Sequence, residues 1–218
     1  MGFIEDYKRL QQKMPHIALV ASDSENSDYT NYAYKNKNCY LVFGGHYNED
    51  DLYAQYGYAN KNCVDCDKVE HSELCYECIF SNRLYNCNYL LNSYSTSDCE
   101  YGYDLINCRY CFLCVSLRAS EYHILNKPVT KERYFEEVAY LKKTYSLQEL
   151  NEKTTELYKT VPRVQWTQKN CEGCLGDYLT NSKNCFSCFN GSDIEDCIYC
   201  ANMNACKNSI DCSNIGYD

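Results

Sequence analysis

Apolar and polar positions alternate along this chain with a period of twelve residues. The cysteines mark the period most clearly, because one set of them is spaced by twelve or twenty-four residues: Cys39, Cys63, Cys75, Cys87, Cys99 and Cys111. A second set follows the first at a distance of three residues, at Cys66, Cys78 and Cys114. The same spacing returns after an interruption, at Cys185 and Cys197 and at Cys188, Cys200 and Cys212. A fixed period indicates one supersecondary unit used many times.

A unit of twelve residues is too short for a pair of helices or a propeller blade, but it fits one coil of a β-solenoid with two or three short strands. The coils would stack about 4.8 Å apart. So narrow an interior favours Cys, Ser and Ala, and Tyr would form ladders on the outer faces. The Asn or Asp that precedes most of these cysteines would form the corner of each coil. The sequence therefore predicts a mainly β fold, a narrow right-handed parallel β-solenoid of about 12 residues per coil.

Two stretches lack the period and show helical spacing instead. Residues 3 to 14 place Phe3, Tyr7, Leu10 and Met14 on one face, which predicts an N-terminal capping helix. Residues 128 to 161 predict a helical hairpin whose second helix opens with a capping box at Ser146 and Glu149. The expected organisation is a helical cap at 1–25, a cysteine-rich solenoid at 26–125, an inserted hairpin at 126–165 and a second solenoid block at 166–218.

Charge and the N-terminal sequence limit the partners and the location. A net charge of −9 disfavours nucleic-acid phosphate and anionic lipid as partners. We see no signal peptide and no apolar run of eighteen residues, so we expect no membrane anchor. The expected location is the cytoplasm or the inside of a virus particle. In a reducing compartment the cysteines would stay thiols or bind metal.

The cysteine spacing also allows a metal site. Cys63-x2-Cys66 with Cys75-x2-Cys78, and Cys185-x2-Cys188 with Cys197-x2-Cys200, resemble the paired elements of zinc knuckles. A twelve-residue solenoid generates this spacing without any metal, so a bare thiol ladder, zinc and disulfides between coils all remain open. An iron–sulfur cluster is a narrower alternative. The complete set of candidate ligands is Cys63, Cys66, Cys75, Cys78, Cys108, Cys111, Cys114, Cys171, Cys174, Cys185, Cys188, Cys197 and Cys200.

Evidence for catalysis is thin in the sequence. The four histidines are scattered, and only His71, four residues before Cys75, is close to a cysteine in the chain. The sequence therefore predicts that the protein is not an enzyme and has no catalytic residues. A thiol enzyme is a third hypothesis, for which one cysteine would need a lowered pKa.

Two resemblances follow from these motifs. Coil size and the fixed cysteine columns at 26–125 and 166–218 resemble the β-helices of beetle antifreeze proteins. Their Thr-x-Thr array is missing here, so no function is implied. The first 145 residues or so resemble uncharacterised cysteine-rich repeat proteins of uncultivated bacteria and tailed phages. This likeness rests on the segments Glu25–Tyr29, Asn38–Leu41 and Tyr122–Lys127 leading to Lys131-Glu132. It implies a solenoid followed by a helix, and it suggests an origin in a phage particle.

The leading hypothesis is a non-enzymatic structural or interaction solenoid that belongs to a larger assembly such as a phage particle. Its partner would be another protein or further copies of the chain, bound through a Tyr-rich face or through the helical hairpin. The alternative is a protein that binds zinc or an iron–sulfur cluster through its paired CxxC elements.

Overall fold

The computed structural model describes residues 2–15, 17–162 and 165–200, and it divides the chain into two compact units, Met1–Val161 and Pro162–Asp218. The described residues form short, mostly parallel strands with three helices. The helices are α1 (Phe3–Lys13), α2 (Lys131–Thr144) and α3 (Leu147–Thr160). A mainly β fold with parallel pairing is thus confirmed, and the right hand of the coil stays a prediction.

Parallel pairing with a register of twelve residues builds the first unit. Ala21 pairs with Ala33, Cys75 with Cys87 and Cys111 with His123. Most of the coils are joined by isolated bridges, and only some positions extend into strands. The strands of this unit are β1 (Ala21–Ser22), β2 (Ala33–Tyr34), β3 (Asp67–Glu70), β4 (Glu73–Tyr76), β5 (Ile79–Leu91), β6 (Tyr94–Ser97), β7 (Glu100–Tyr103), β8 (Arg109–Phe112), β9 (Glu121–Ile124) and β10 (Lys127–Pro128). Only β10 runs antiparallel to its neighbour among these described pairs.

Each coil consists of four segments of three residues, and this finer period differs from the two or three strands expected. In each segment one residue is buried, the next forms a bridge to the neighbouring coils, and the third has a left-handed backbone. The left-handed residues have φ between 45° and 62°, and they include Tyr, Leu and Lys as well as Asn and Asp. The Asn and Asp column is therefore one corner of four. The conformation costs an L-residue about 1–2 kcal/mol, so strong compensation is needed at every corner.

Backbone hydrogen bonds between coils supply part of that compensation. The N–H of a bridging residue donates to the coil that follows, as Tyr40 does to the Asp51 carbonyl at 3.0 Å. The N–H of a left-handed residue donates to the coil before, as Leu41 does to the Asp28 carbonyl at 3.1 Å. Two of every three backbone N–H groups are satisfied in this way. The buried residue of each segment needs another acceptor, because an unpaired buried N–H is costly.

That acceptor is often the side chain of the buried residue one coil earlier. Asn36 accepts from the Asn48 N–H at 2.9 Å, Ser93 from Leu105 at 3.3 Å, and the Cys99 sulfur from Cys111 at 3.2 Å. Side chains at these interior positions also donate to backbone carbonyls. The Cys39 thiol, for example, donates to the Lys37 carbonyl at 3.3 Å. Small polar side chains therefore line the interior because they complete the backbone hydrogen bonding, in addition to fitting the space.

The interior changes in character along the first unit. Its early coils bury Thr30, Asn36, Asn48, Asp51 and Asn60, whereas the later coils bury mainly cysteine and aliphatic side chains. Asp51 takes a position of the cysteine column; its Oδ1 accepts from the Cys63 N–H at 2.9 Å, and its buried Oδ2 has no partner. Burial raises the pKa of this carboxyl from 3.8 to about 8. Asp51 is therefore largely protonated at neutral pH.

The helices begin where the sequence predicts. Thr130 caps α2 by accepting from the Arg133 N–H, and Ser146 with Glu149 forms the predicted capping box of α3. In α3, Leu150 is buried, whereas Leu147 is 47% exposed. No residue of α1 is buried, and the role of this helix as a cap stays a prediction.

The second unit repeats the coil within Pro162–Asp218. Its strands are β11 (Gln168–Lys169), β12 (Leu175–Asp177), β13 (Leu179–Thr180) and β14 (Phe186–Phe189). The register is eleven residues at Leu175↔Phe186 and twelve at Gly176↔Cys188, across a bulge. Glycine is required at 176, because a Cβ there would lie 1.9 Å from the Cys188 carbonyl oxygen.

Candidate interaction surface

One ladder of parallel bridges runs the whole length of the first unit. It joins every twelfth residue from Asp28 to Ile124, and the left-handed residue after each rung lies beside it. We call this surface, made of residues 28/29 and every twelfth pair up to 124/125, the ladder face. Its rungs are Asp28, Tyr40, Leu52, Val64, Tyr76, Asn88, Glu100, Phe112 and Ile124.

The last rungs of the ladder face are covered by the helical hairpin. Phe112 and Leu113 are fully buried, and Tyr101 and Ile124 are 7% and 3% exposed. They share one apolar cluster with Tyr134 of α2 and Leu150 of α3. The hairpin thus packs along the side of the solenoid. The sequence alone did not predict this position.

Polar contacts fix both helices on this surface. Thr154 of α3 donates to the Tyr101 carbonyl at 3.1 Å, and Lys142 of α2 lies 2.6 Å from Glu100. Burial raises the pKa of the Tyr134 phenol, so this side chain stays neutral. Packing, a hydrogen bond and an ion pair together hold the helices in one position.

The first rungs of the same face are bare. Tyr29 is 61% exposed, Tyr53 50%, Tyr40 38% and Leu52 37%. Tyr40 contacts both Tyr29 and Tyr53 edge to face, with ring centroids 5.6 and 5.8 Å apart. The only charged side chains on rungs 28/29 to 88/89 of this surface are acidic: Asp28, Asp65 and Glu77. The predicted tyrosine ladders are confirmed here, and they form an aromatic surface with an acidic character.

A half-open cavity of about 400 Å³ lies where the covered part of the ladder face meets the bare part. Tyr89, Leu91 and Tyr101 line it from the solenoid, and Asn151 and Tyr158 line it from α3. The Tyr89 and Tyr101 rings are stacked with centroids 4.7 Å apart. Its walls carry aromatic rings, hydroxyls and an amide, with no ionised side chain.

The structure brings several predicted metal ligands together in the interior of the first unit. The thiols of Cys63, Cys66, Cys75 and Cys78 contact one another along and between two coils. Contacts with Cys63 and Cys78, together with burial, raise the pKa of the Cys75 thiol. Cys108, Cys111 and Cys114 form a similar row of contacts. Their thiols also donate to backbone carbonyls, as at Cys108 and Ile106, 3.4 Å apart.

The candidate ligands of the second unit form a comparable cluster. Cys185, Cys188, Cys197 and Cys200 are buried, while Cys171 and Cys174 are partly exposed. Within the described ranges, Cys171, Cys174, Cys185 and Cys188 are free thiols. Over those same ranges, no group of three or more His, Cys, Asp or Glu side chains has an arrangement that could hold a metal ion. Zinc or iron–sulfur binding by these cysteines therefore stays a prediction. Cys212 lies outside the described residues.

The one histidine close to a cysteine in the sequence does not form a dyad. His71 lies at a left-handed corner on the outside of the coil, where its ring packs edge to face on Tyr58 with centroids 5.3 Å apart. Cys75 is buried in the interior, where its thiol donates to the Glu73 carbonyl at 3.4 Å. The two side chains therefore belong to opposite sides of the backbone.

Comparison with known proteins gives no family. No family model matches the chain, and no curated protein is similar to it. Among solved structures it is similar to the UDP-N-acetylglucosamine O-acyltransferase of Moraxella catarrhalis, at 11% identity and a TM-score of 0.25, covering 69% of this chain and 93% of that one. The corresponding Bacteroides fragilis acyltransferase has 11% identity, a TM-score of 0.19 and coverages of 69% and 90%. A putative acetyltransferase of Bacillus cereus has 9% identity, a TM-score of 0.16 and coverages of 65% and 92%.

These comparisons correct one expectation. The sequence predicted that the protein is not an enzyme, but the solved structures to which it is similar carry the names of acyltransferases and acetyltransferases. The exclusion of enzymatic activity is therefore withdrawn. At these TM-scores the likeness assigns no reaction to this chain.

In the part of the chain that the structure describes, no helix is long and apolar enough to cross a membrane.

Proposed function

We propose that this chain is an interaction protein whose solenoid binds a helical segment of a protein partner on the bare part of the ladder face. One observation carries the proposal: the last rungs of this face already hold two helices, and the first rungs continue the same surface without a cover. Tyrosine suits such a contact because it buries a large area at a low cost in conformational entropy.

The covered rungs indicate the chemistry of the partner. There, Tyr134 of α2 and Leu150 of α3 supply apolar side chains, and Lys142 of α2 pairs with the acidic rung Glu100. The bare rungs offer Tyr40, Leu52 and Tyr53 with acidic neighbours. A matching partner is an amphipathic helix with an aromatic or aliphatic stripe and basic flanks. Membership of a phage particle or another large assembly is the setting that we propose for this contact.

The test compares two surface variants that each lose two tyrosine rings. Tyr40→Ser with Tyr53→Ser removes rings from the bare ladder face, and Tyr32→Ser with Tyr56→Ser removes exposed rings from another column. A partner captured by the unmodified chain, then purified and mixed with it, should lose at least tenfold in affinity with the first variant and less than twofold with the second. Equal affinity for the two variants would reject the ladder face as the binding surface.

A further inference from the structure

Helix α1 carries an apolar stripe that stays exposed in the part of the chain that the structure describes. Phe3, Tyr7, Leu10 and Met14 are 81%, 50%, 56% and 55% exposed, and they lie on one side of the helix. An isolated helix of eleven residues is marginal in water, and helices in proteins are stabilised mainly by packing of such a stripe. The helix therefore needs a surface to cover its stripe.

The stripe of α1 has the same spacing as the stripe of α2. Both advance by four, three and four residues, through Phe3, Tyr7, Leu10 and Met14 in α1 and through Tyr134, Val138, Leu141 and Tyr145 in α2. Both helices also end alike, because the N–H of the extended C-cap residue donates to the leucine carbonyl four residues earlier: Met14 to Leu10 and Tyr145 to Leu141. The stripe of α2 packs against the covered rungs of the ladder face. An equivalent stripe fits the bare rungs of that face.

Length and charge agree with this fit. The rungs from Asp28 to Tyr76 span four intervals of twelve residues, or about 19 Å at 4.8 Å per interval. The eleven residues of α1 and its C-cap residue Met14 extend over about 18 Å. The helix carries Lys8, Arg9 and Lys13 against Glu5 and Asp6, while the charged side chains on those rungs are all acidic.

Resting on the proposed function, we infer that the helix bound by the bare part of the ladder face is α1 of a second copy of this chain. In the single chain α1 buries no residue, and the bare rungs remain exposed, so each copy carries one uncovered surface and one helix with an exposed apolar stripe. In a pair of copies, the α1 of each copy would pack its apolar stripe on the bare ladder face of the other. Such an exchange is closed and two-fold symmetric, so it stops at a dimer.

The experiment is a complementation test by light scattering on the full-length chain. The unmodified chain should have twice the mass of one copy. A helix variant, Tyr7→Ser with Leu10→Ser, and a ladder variant, Tyr40→Ser with Tyr53→Ser, should each have the mass of one copy. An equimolar mixture of the two should form a weaker heterodimer, because one intact helix and one intact ladder face remain to meet.

Matched controls separate this contact from general damage. Gln12→Ala changes the side of α1 opposite to the stripe, and Tyr32→Ser with Tyr56→Ser removes two exposed rings elsewhere; both variants should stay dimeric. A cooperative thermal transition, compared with that of the unmodified chain at a concentration where every variant is monomeric, would show that the solenoid of the helix and ladder variants is folded.

Three results would overturn the inference. The first is a single-copy mass for the unmodified chain up to millimolar concentration. The second is a dimer that survives both variants, and the third is an equimolar mixture of the variants that stays monomeric. The proposed function would still stand after any of these results if a purified partner discriminated between the ladder variant and its control. A dimer that is lost as expected, without any further partner, would support the inference by itself.

Discussion

The early and late coils of the first unit share one backbone but differ inside and outside. Up to Asn60 the interior is rich in Asn, Asp and Thr and the ladder face is bare; from Cys63 onward the interior is mainly thiol and aliphatic, and the last rungs are covered by helices. The backbone pattern does not change, because Asn, Ser and Cys can all accept the N–H of the buried residue one coil later. The comparison shows that polar side chains able to accept this N–H occupy the same interior positions as apolar ones such as Val42 and Leu90.

The largest effect is expected at Asp51, where the early coils depart most from the cysteine column. Its pKa is about 8 in the folded chain and near 4 in the unfolded chain, so the folded state holds a proton that the unfolded state releases. Below about pH 4 this carboxyl is protonated in both states and does not make the free energy of unfolding depend on pH. As the pH rises from about 4 to about 8, the free energy of unfolding should fall by up to about 5 kcal/mol. Above about pH 8 this carboxyl should cause no further change.

Urea unfolding at a series of pH values measures this loss. Asp51→Cys, which restores the residue type of the column, and Asp51→Asn should both remove most of this loss. Asp50→Asn alters the neighbouring carboxyl, whose oxygen accepts from Asn38 near the surface, and should leave the dependence in place. A similar pH dependence in Asp51→Asn and in the unmodified chain would show that this carboxyl is not the source.

The second effect compares the covered and the bare parts of the ladder face. Leu113→Ala removes a fully buried side chain of the ladder face beneath the hairpin and should cost about 2–5 kcal/mol of unfolding free energy. Leu52→Ala removes the same atoms from a rung that is 37% exposed, so it should cost about 1 kcal/mol or less in the monomer. Chemical unfolding at low protein concentration gives both values. Equal losses of unfolding free energy in the two variants would contradict the conclusion that the hairpin covers one part of the ladder face and leaves the other part bare.

A third, smaller effect tests the hydrogen bonding of the interior. Ser93 accepts from the Leu105 N–H and donates to the Leu91 carbonyl. Ser93→Ala leaves a buried N–H without an acceptor and should cost about 1–3 kcal/mol, whereas Ser93→Cys keeps an acceptor and should cost less than half of that. If the alanine variant were as stable as the cysteine variant, the interior would be explained by size alone.

The smallest effect concerns thiol reactivity rather than stability. Burial raises the pKa of the Cys87 thiol to about 12, while Cys171 and Cys174 are partly exposed. Timed alkylation at neutral pH, read by mass spectrometry of peptides, should label Cys171 and Cys174 before Cys87. Labelling of Cys87 first would contradict the buried thiol interior.

Much of the architecture could be predicted from the sequence, because the period of twelve, the helical stripes and the capping box at Ser146 are local patterns. The sequence reasoning did not predict that each coil has four corners. The three-residue spacing of Cys63 and Cys66 is nevertheless the signal of these three-residue segments. Their left-handed conformation falls on Tyr, Leu and Lys, whose own preferences do not predict it.

The candidate surface was predicted only in part. The tyrosine ladders follow from the repeat, as in Tyr40 and Tyr53. Which rungs the hairpin covers depends on tertiary packing across many residues, as between Tyr101 and Thr154, and no local pattern contains that information. The metal sites were inferred from spacing that the interior uses for hydrogen bonds, as the thiol of Cys63 does with the Lys61 carbonyl.

Hydrogen exchange of α1 tests the central claim most directly, namely that the bare part of the ladder face binds this helix. On raising the concentration of the full chain, the amides of residues 7–13 should become protected, and the Tyr40→Ser, Tyr53→Ser variant should abolish that protection. Fast exchange of these amides at every concentration, in the unmodified chain as in the variant, would contradict the account.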